Sequence, residues 1–204
     1  MADFHKALAW VLQPSHEGGF ANNPHDSGLM TYRGISRKNF PTWAGWPIID
    51  RYLAQPLMRH SLNDTLAGDL ALQNAVSDFY LAEYWAKSGY DSLASQAVAT
   101  KLLDLDVNVE SSAVVGPAVR CLQRALNSCG QAITVDGHLG PATLGAIAAV
   151  PERELVAQTA AEAERFHRQV AADHPNDAVF LAGWVRRDRD IEGLDWEQAE
   201  GASA

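Results

Sequence analysis

Apolar residues recur at helical spacing through most of this 204-residue chain, and that pattern limits the possible folds more than any other feature. The pattern is interrupted once, where Pro and Gly cluster between residues 14 and 47. Residues 132–135 are the one candidate for the alternation of a strand. The sequence therefore predicts an all-α protein, with a loop region at 20–47 that has room for a short hairpin.

The predicted helices begin and end at recognisable signals. The first opens after Asp3 and ends near Pro14, and a later one has Ser92 as its predicted N-cap. Two others open on Pro117 and Pro141, since proline suits the first helical position. Together the predicted helices cover residues 4–12, 48–60, 62–87, 93–107, 117–128, 141–149, 151–172 and 176–187.

Composition limits the classes of partner. Residues 1–103 carry 8 basic and 9 acidic residues and residues 104–204 carry 8 and 16, which together give the net charge of −9. Such a chain is not drawn to nucleic acid or to anionic membranes by its mean charge. Its apolar runs are too short to cross a bilayer, and residues 1–17 do not form a secretory signal. We therefore expect synthesis in the cytoplasm without a signal peptide.

Cysteine and histidine spacing gives no sign of a metal site or of another cofactor. Cys121 and Cys129 are eight residues apart, about 12 Å along one helix, which is too far for a disulfide. We expect two free thiols. The seven histidines show neither HxxxH nor HExxH spacing.

The stretch HEGGFANNPHDSGLMT, residues 16–31, carries the chemistry of greatest interest. Glu17 is placed near a helix C-terminus, where the negative end of the helix dipole favours a proton-holding acid. Asp26 is either a turn residue or the second carboxylate of a glycosidase, and Thr31 could hydrogen-bond the same water as Asp26. The combined spacing of the three is more specific than any one of them.

Aromatic residues form a second candidate set. Trp43 and Trp46 lie in the Pro/Gly-rich region, where they either stack on sugar rings or belong to the core. Tyr80 and Tyr84 are four residues apart, which favours core packing. Asn108 shares a predicted helix face with an acidic residue one turn earlier, so it is a candidate substrate contact or a solvated side chain.

Several motifs, in order, resemble those of glycoside hydrolase family 108. EGGFANNPHDSGLMTYRGIS, residues 17–36, resembles the family's opening EGGYSNDPxDPGGxTNYGIT, while FYLAEYW at 79–85 resembles IYxxxYW and LLDLDVN at 102–108 resembles FDxAVN. VGPAVRCLQRALN, ITVDGHLGPATLGAI and FLAGWVRR resemble the attached peptidoglycan-binding segment. Where the family has an Asn and an aromatic residue, this chain has Tyr32 and Arg33, which makes both candidate substrate contacts.

This resemblance implies a lysozyme-like N-acetylmuramidase of peptidoglycan with Glu17 as acid and Asp26, helped by Thr31, as the second group. It implies a catalytic region at 1–103 and a helical peptidoglycan-binding-like region at 104–190. From their composition we expect residues 191–204 to form a frayed tail. The second region either binds the wall or only packs as structure. The implied setting is a monomer that acts at the cell wall, released by a holin or another export partner. Alternatives are a glycan-binding or secretion-assisting protein with weak hydrolysis, and a lytic transglycosylase that needs no Asp26.

Overall fold

The computed structural model describes residues 1–22, 30–55, 62–109 and 116–196. The chain forms two compact units. The hairpin unit is Val11–Tyr84, and the helical unit is Met1–Trp10 together with Trp85–Ala204. Helices dominate the described residues, and the one addition to the expected all-α class is a small antiparallel sheet. The predicted fold class is confirmed.

The sheet of the hairpin unit has three short strands, β1 (Phe20–Asn22), β2 (Met30–Tyr32) and β3 (Ile35–Ser36), in the order β1-β2-β3. Tyr32 pairs with Phe20 on one side and with Ile35 on the other. A two-residue turn, Arg33–Gly34, joins β2 to β3, and both its residues have positive φ, 45° and 78°. Positive φ at both positions is the geometry of the tight turns that match the twist of a hairpin.

The helices α2 (Trp46–Leu53), α3 (Leu62–Gly68) and α4 (Leu70–Tyr80) complete the hairpin unit. The single helix expected at 62–87 is divided, because Asp69 accepts a hydrogen bond from the Leu72 amide and so caps α4. A wider, π-helical turn at Leu81–Trp85 and a short α5 (Ala86–Ser88) follow α4. The core of this unit holds Tyr32, Ile35, Trp46, Ile49, Leu66, Leu72 and Tyr80.

The helical unit contains most of α1 (Phe4–Val11), with α6 (Gln96–Asn108), α7 (Pro117–Ser128), α8 (Pro141–Ala148), α9 (Glu152–Asp173) and α10 (Leu181–Arg189). Short 3₁₀ turns at Tyr90–Ser92 and Pro175–Phe180 precede α6 and α10. Helix α6 is buried on nearly every side from Ala97 to Leu105. It packs against α7 and α9, and α9 also packs against α7 and α10.

Two local expectations in the helical unit are corrected. Ser95, not Ser92, caps α6 by accepting a hydrogen bond from the Val98 amide. Residues 132–135 form no strand, because the Asn127 side chain bonds both the amide and the carbonyl of Ile133, each at 2.9 Å. These side-chain bonds satisfy the backbone groups that a strand partner would otherwise satisfy.

The end of the described chain is anchored. The Trp10 indole nitrogen donates to the Glu192 carbonyl at 3.2 Å, and Leu194 is buried. The expected fraying therefore does not apply to residues 191–196, while 197–204 lie outside the described residues. The boundary expected at residue 103 falls inside α6, and the functional division of the chain stays a prediction. In the described ranges, no helix has the length and apolar character needed to span a membrane.

Candidate active site

Glu17 lies just beyond the first helix. Helix α1 ends at Val11, three residues before Pro14, and the chain then turns so that the Glu17 amide donates to the Val11 carbonyl at 3.3 Å. Because Pro lacks an amide donor, the helix cannot continue through position 14. Glu17 is half-buried. The sequence prediction that Glu17 follows a helix C-terminus is confirmed at the level of the backbone.

The Glu17 carboxylate rests on the Arg33–Gly34 turn. A Cβ atom on Gly34 would lie 2.6 Å from Glu17 Oε2 and 2.7 Å from the Tyr80 hydroxyl oxygen. Real Cβ atoms do not approach other atoms so closely, so a larger residue here would displace the Glu17 carboxylate or the Tyr80 hydroxyl, and the φ of 78° separately favours glycine. The Tyr80 hydroxyl donates to the Arg33 carbonyl at 2.7 Å, which ties the turn to α4. The carboxylate thus sits between a turn and a buried tyrosine that fixes that turn.

A pocket of about 200 Å³ opens at this carboxylate, and every residue that lines it belongs to the hairpin unit. The described lining residues are Leu12, Pro14, Glu17, Gly18, Gly19, Tyr32, Arg33, Asn63, Asp64 and Ala67. One wall comes from the turn after α1, another from the hairpin, and the third from α3. The pocket therefore brings together three of the residues predicted from sequence, namely Glu17, Tyr32 and Arg33.

Helix α3 supplies two polar residues that sequence reasoning missed. Asn63 Oδ1 accepts from the Phe20 amide at 2.6 Å, and a Cβ on Gly19 would lie 2.4 Å from that same oxygen. A methyl group at Gly19 would therefore displace the Asn63 side chain. Asp64 is an exposed second carboxylate of the pocket wall. No local signal in the sequence indicated that a residue from position 63 meets the chain beside Gly19.

Arg33 has the only positive φ of a non-glycine residue in the described part of the chain. Its amide donates to the Gly19 carbonyl at 3.2 Å, and its guanidinium lies over the Tyr32 ring, 5.9 Å from the centroid. A non-glycine residue in this left-handed region carries about 1–3 kcal/mol of strain, which surrounding contacts must offset. Such strain is concentrated at functional sites in other proteins.

Trp43 and Trp46 lie in the core of the hairpin unit. They are 8% and 1% exposed, and their indole nitrogens donate to the backbone carbonyls of Ala75 and Phe40. This burial supports the second of the two alternatives left open by the sequence, packing in the core, over stacking on sugar rings. Tyr32 is 1% exposed and bonds Gln73, so it forms the floor of the pocket beneath Arg33 rather than an open stacking face.

The remaining predicted residues are more dispersed. Thr31 lies on β2 between Ala21 and Ser36. Asn108 is the last residue of α6 in the helical unit, and its Nδ2 is buried without a hydrogen-bond partner in the described structure. Asp26 lies outside the described residues. Among the residues that are described, no three His, Cys, Asp or Glu side chains cluster as metal ligands would.

The described residues form a mostly helical, lysozyme-like fold with a carboxylate-bearing pocket beside a small antiparallel sheet. The protein-family model described as Glycosyl hydrolase 108 matches residues 8–109, and a second family model, described as Predicted Peptidoglycan domain, matches residues 117–189. The chain therefore belongs to the glycosyl hydrolase 108 family, as its motifs predicted, and is a hydrolase of peptidoglycan that acts at the cell wall.

A structural comparison agrees at the level of the fold. The structure of SagA from Brucella abortus matches with a TM-score of 0.56 and 23% identity, covering 92% of this chain and 90% of that one. No curated protein sequence matches this chain.

Proposed function

We propose that the protein is an N-acetylmuramidase that cleaves the β-1,4 bond between N-acetylmuramic acid and N-acetylglucosamine, with Glu17 as the general acid. The supporting observation is the placement of the Glu17 carboxylate, which rests on the Arg33–Gly34 turn at an open pocket. An acid must be held within hydrogen-bond reach of the oxygen that it protonates. Gly34 and Tyr80 fix the position of the Glu17 carboxylate, and the pocket gives a glycan strand access to that carboxylate.

In this proposal Glu17 gives its proton to the glycosidic oxygen while the bond from that oxygen to the anomeric carbon breaks. The positive charge that develops on the sugar is stabilised by a second carboxylate, or is met directly by water. Asp26, helped by Thr31, is the group we assign to this role from the sequence motif. Water supplies the hydroxyl of the new reducing end, and its remaining proton returns to a carboxylate.

Asp64 is a second acid to consider beside Asp26, since it lines the pocket together with Glu17. The separation of the two working carboxyl groups distinguishes inversion from retention, because an inverting enzyme leaves room for a water between them. The stereochemistry of the released sugar therefore reports the separation of the two working carboxyl groups. Loss of activity in Asp26→Asn or in Asp64→Asn identifies which carboxylate serves.

The setting that we propose follows from the substrate. Peptidoglycan strands are the partner, the enzyme acts as a monomer, and a holin or another export partner brings it to the wall. Residues 104–190 either hold the strand or serve only as a structural support. No cofactor takes part in the proposed reaction.

The test is clearing of a peptidoglycan suspension by wild type, Glu17→Gln, Asp26→Asn and Asp64→Asn, followed by mass analysis of the products. We expect Glu17→Gln to lose at least about a hundredfold in rate, as expected for removal of a general acid. Glu154→Gln, the same change at an exposed position on α9, is the matched control and should keep the wild-type rate.

The products distinguish the alternatives. Reducing N-acetylmuramic acid ends support the muramidase, whereas anhydro-muramyl ends identify a lytic transglycosylase. Binding to the wall without any clearing by wild type identifies a glycan-binding protein. Clearing by Glu17→Gln at the wild-type rate contradicts the role of Glu17.

A further inference from the structure

Arg33 occupies a position where most proteins place glycine or asparagine. The first residue of a two-residue hairpin turn with positive φ at both positions is usually Asn, Asp or Gly. An arginine gains nothing from its long side chain in forming this turn, and it carries the backbone strain described above. Two hydrogen bonds nevertheless hold the turn in place. The Tyr80 hydroxyl donates to the Arg33 carbonyl, and the Arg33 amide donates to the Gly19 carbonyl.

The charge environment of Arg33 differs from that of the next arginine in the chain. Arg37, four residues later, binds Asp50 through both guanidinium nitrogens, at 2.6 and 2.7 Å. The Arg33 guanidinium makes no ion pair within the part of the chain that the structure describes, although Glu17 and Asp64 line the same pocket. Its one described contact is with the face of the Tyr32 ring. A planar, permanently charged donor thus lies at the pocket wall with no carboxylate partner among the described residues.

We propose that Arg33 is a specificity-determining residue that binds a carboxylate of the peptidoglycan strand beside the scissile bond. This inference rests on the proposed muramidase function and adds the chemical group that the pocket recognises. A guanidinium matches a carboxylate through two parallel hydrogen bonds, and the match is stronger and more directional than that of an ammonium group. Stacking on Tyr32 limits the rotamers of the side chain, which reduces the entropy lost on binding.

Two carboxylates of the substrate have this chemistry. One is the lactyl carboxylate of N-acetylmuramic acid, which is free only on strands from which the stem peptide has been removed. The other is a free carboxylate of the stem peptide itself. Polymers of N-acetylglucosamine carry neither group. Arg33 would therefore let the enzyme discriminate wall glycan from uncharged glycans that have the same backbone linkage.

The experiment compares kcat/KM on three soluble preparations of strands: peptide-free, peptide-bearing, and strands whose carboxyl groups have been converted to primary amides. Arg33→Gln removes the charge, and Arg33→Lys keeps the charge but not the paired geometry. Arg37→Gln is the matched control, since it removes an arginine four residues away that already has a carboxylate partner. Thermal unfolding of each variant checks that it is folded.

We expect Arg33→Gln to lower kcat/KM about tenfold to a hundredfold on strands that carry the recognised carboxylate, mainly through KM, as for removal of a charged hydrogen bond. On the amidated strands Arg33→Gln should match wild type. On strands that carry the recognised carboxylate, the kcat/KM of Arg33→Lys should fall between those of wild type and Arg33→Gln. A loss confined to peptide-free strands identifies the lactyl carboxylate, and a loss confined to peptide-bearing strands identifies the stem peptide.

An equal loss on the amidated strands would overturn the proposal, because Arg33 would then act on the structure of the turn or on Glu17. A kcat/KM unchanged on all three preparations would overturn it as well. Failure of the underlying function looks different: Glu17→Gln would then remain active on every preparation, whatever the Arg33 variants do.

Discussion

The pocket of the hairpin unit and the charged interior of the helical unit use ionisable groups in opposite ways. In the helical unit, Lys101 and Asp104 are fully buried and bonded at 3.2 Å, and Asp104 also accepts from Arg187 at 2.7 Å. The Lys101 ammonium further donates to two backbone carbonyls, those of Arg187 and Asp190. In the pocket, by contrast, Glu17, Asp64 and Arg33 line a space that is open to solvent.

The difference separates structural charges from charges that can act on a ligand. A charge removed from water must be matched within the protein, so the interior network has donors and acceptors already committed to each other. A charge at a pocket wall keeps part of its hydration and can exchange it for a substrate group. In the hairpin unit, the positive φ of Arg33 adds backbone strain beside the pocket. No non-glycine residue in the described part of the helical unit has a positive φ.

The largest effect should come from breaking the interior network. Asp104→Ala leaves the Lys101 ammonium buried without its carboxylate, and we expect the free energy of unfolding to fall by about 3–5 kcal/mol. Urea denaturation measures the change. Asp195→Ala breaks the exposed pair with Lys6 and should have little effect. Equal midpoints for both variants would mean that the interior network contributes no more than a surface pair.

The next largest effect should fall on activity at the pocket. Gly34→Ala places a methyl group 2.6 Å from Glu17 Oε2, so the carboxylate must move, and we expect clearing to drop about a hundredfold. Gly89→Ala is the control, because Gly89 has a similar φ of 71° but nothing within 4 Å of the added Cβ. Both variants should lose about 1–2 kcal/mol of stability from the backbone alone. Similar activity losses in both would show that the contact with Glu17 is unimportant.

A smaller loss should follow Tyr80→Phe, which removes the hydroxyl that holds the Arg33 carbonyl. We expect about a tenfold fall in kcat and about 1 kcal/mol of lost stability, the usual effect of one hydrogen bond. Tyr52→Phe removes a hydroxyl bonded to Asp69 in the same unit, away from the pocket lining, and should leave kcat unchanged. If kcat survives in Tyr80→Phe, the turn is held without this bond.

The smallest effect concerns the pH dependence of stability in the helical unit. Burial raises the pKa of Asp188 above its ordinary range, although a 2.7 Å bond to His167 opposes the shift. A raised pKa in the folded state means that stability is lost as pH rises from the ordinary aspartate value of about 3.9 through the folded value. Asp188→Asn should therefore unfold at higher urea than wild type at pH 7, and this advantage should shrink towards pH 4.

Glu164→Gln is a control for which the change in stability at neutral pH should have the opposite sign. Hydrogen bonds from Arg189 and Arg168 lower the pKa of Glu164, so its ionised form stabilises the protein above the ordinary glutamate range. This variant should lose stability at neutral pH and match wild type in acid. A loss of stability at pH 7 in Asp188→Asn would mean instead that the bond from His167 outweighs the burial of the carboxylate.

The sequence predicted the elements whose signals are local. Helix α7 begins at Pro117, as its opening proline indicated, and α1 ends before Pro14. The break at Asp69 inside the segment 62–87 was missed, because apolar residues continue at helical spacing on both sides of it. Local signals indicate where a helix can begin and end. They do not show whether a residue such as Asp69 will cap a new helix or let the existing helix continue.

The candidate site was predicted only in part, for the same physical reason. Glu17 and Arg33 stand in a recognisable motif, whereas Tyr80 and Asn63 meet that motif from 47 and 43 residues away. Their spacing along α4 and α3 fits ordinary packing. For Trp43 and Trp46 the Pro/Gly-rich surroundings leave both sugar stacking and core packing open. Only the folded unit shows that their indole groups donate to backbone carbonyls inside it.

The packing of helix α6 has a consequence for recombination between the two matched segments. It lies inside the segment matched by the hydrolase family, residues 8–109, yet its buried faces pack on α7 and α9, which belong to the second matched segment. A gene cut at residue 109 would leave one product with an apolar helix stripped of its cover and the other with the matching groove exposed. Recombination at the family boundary is therefore disfavoured, and the two segments should be inherited together.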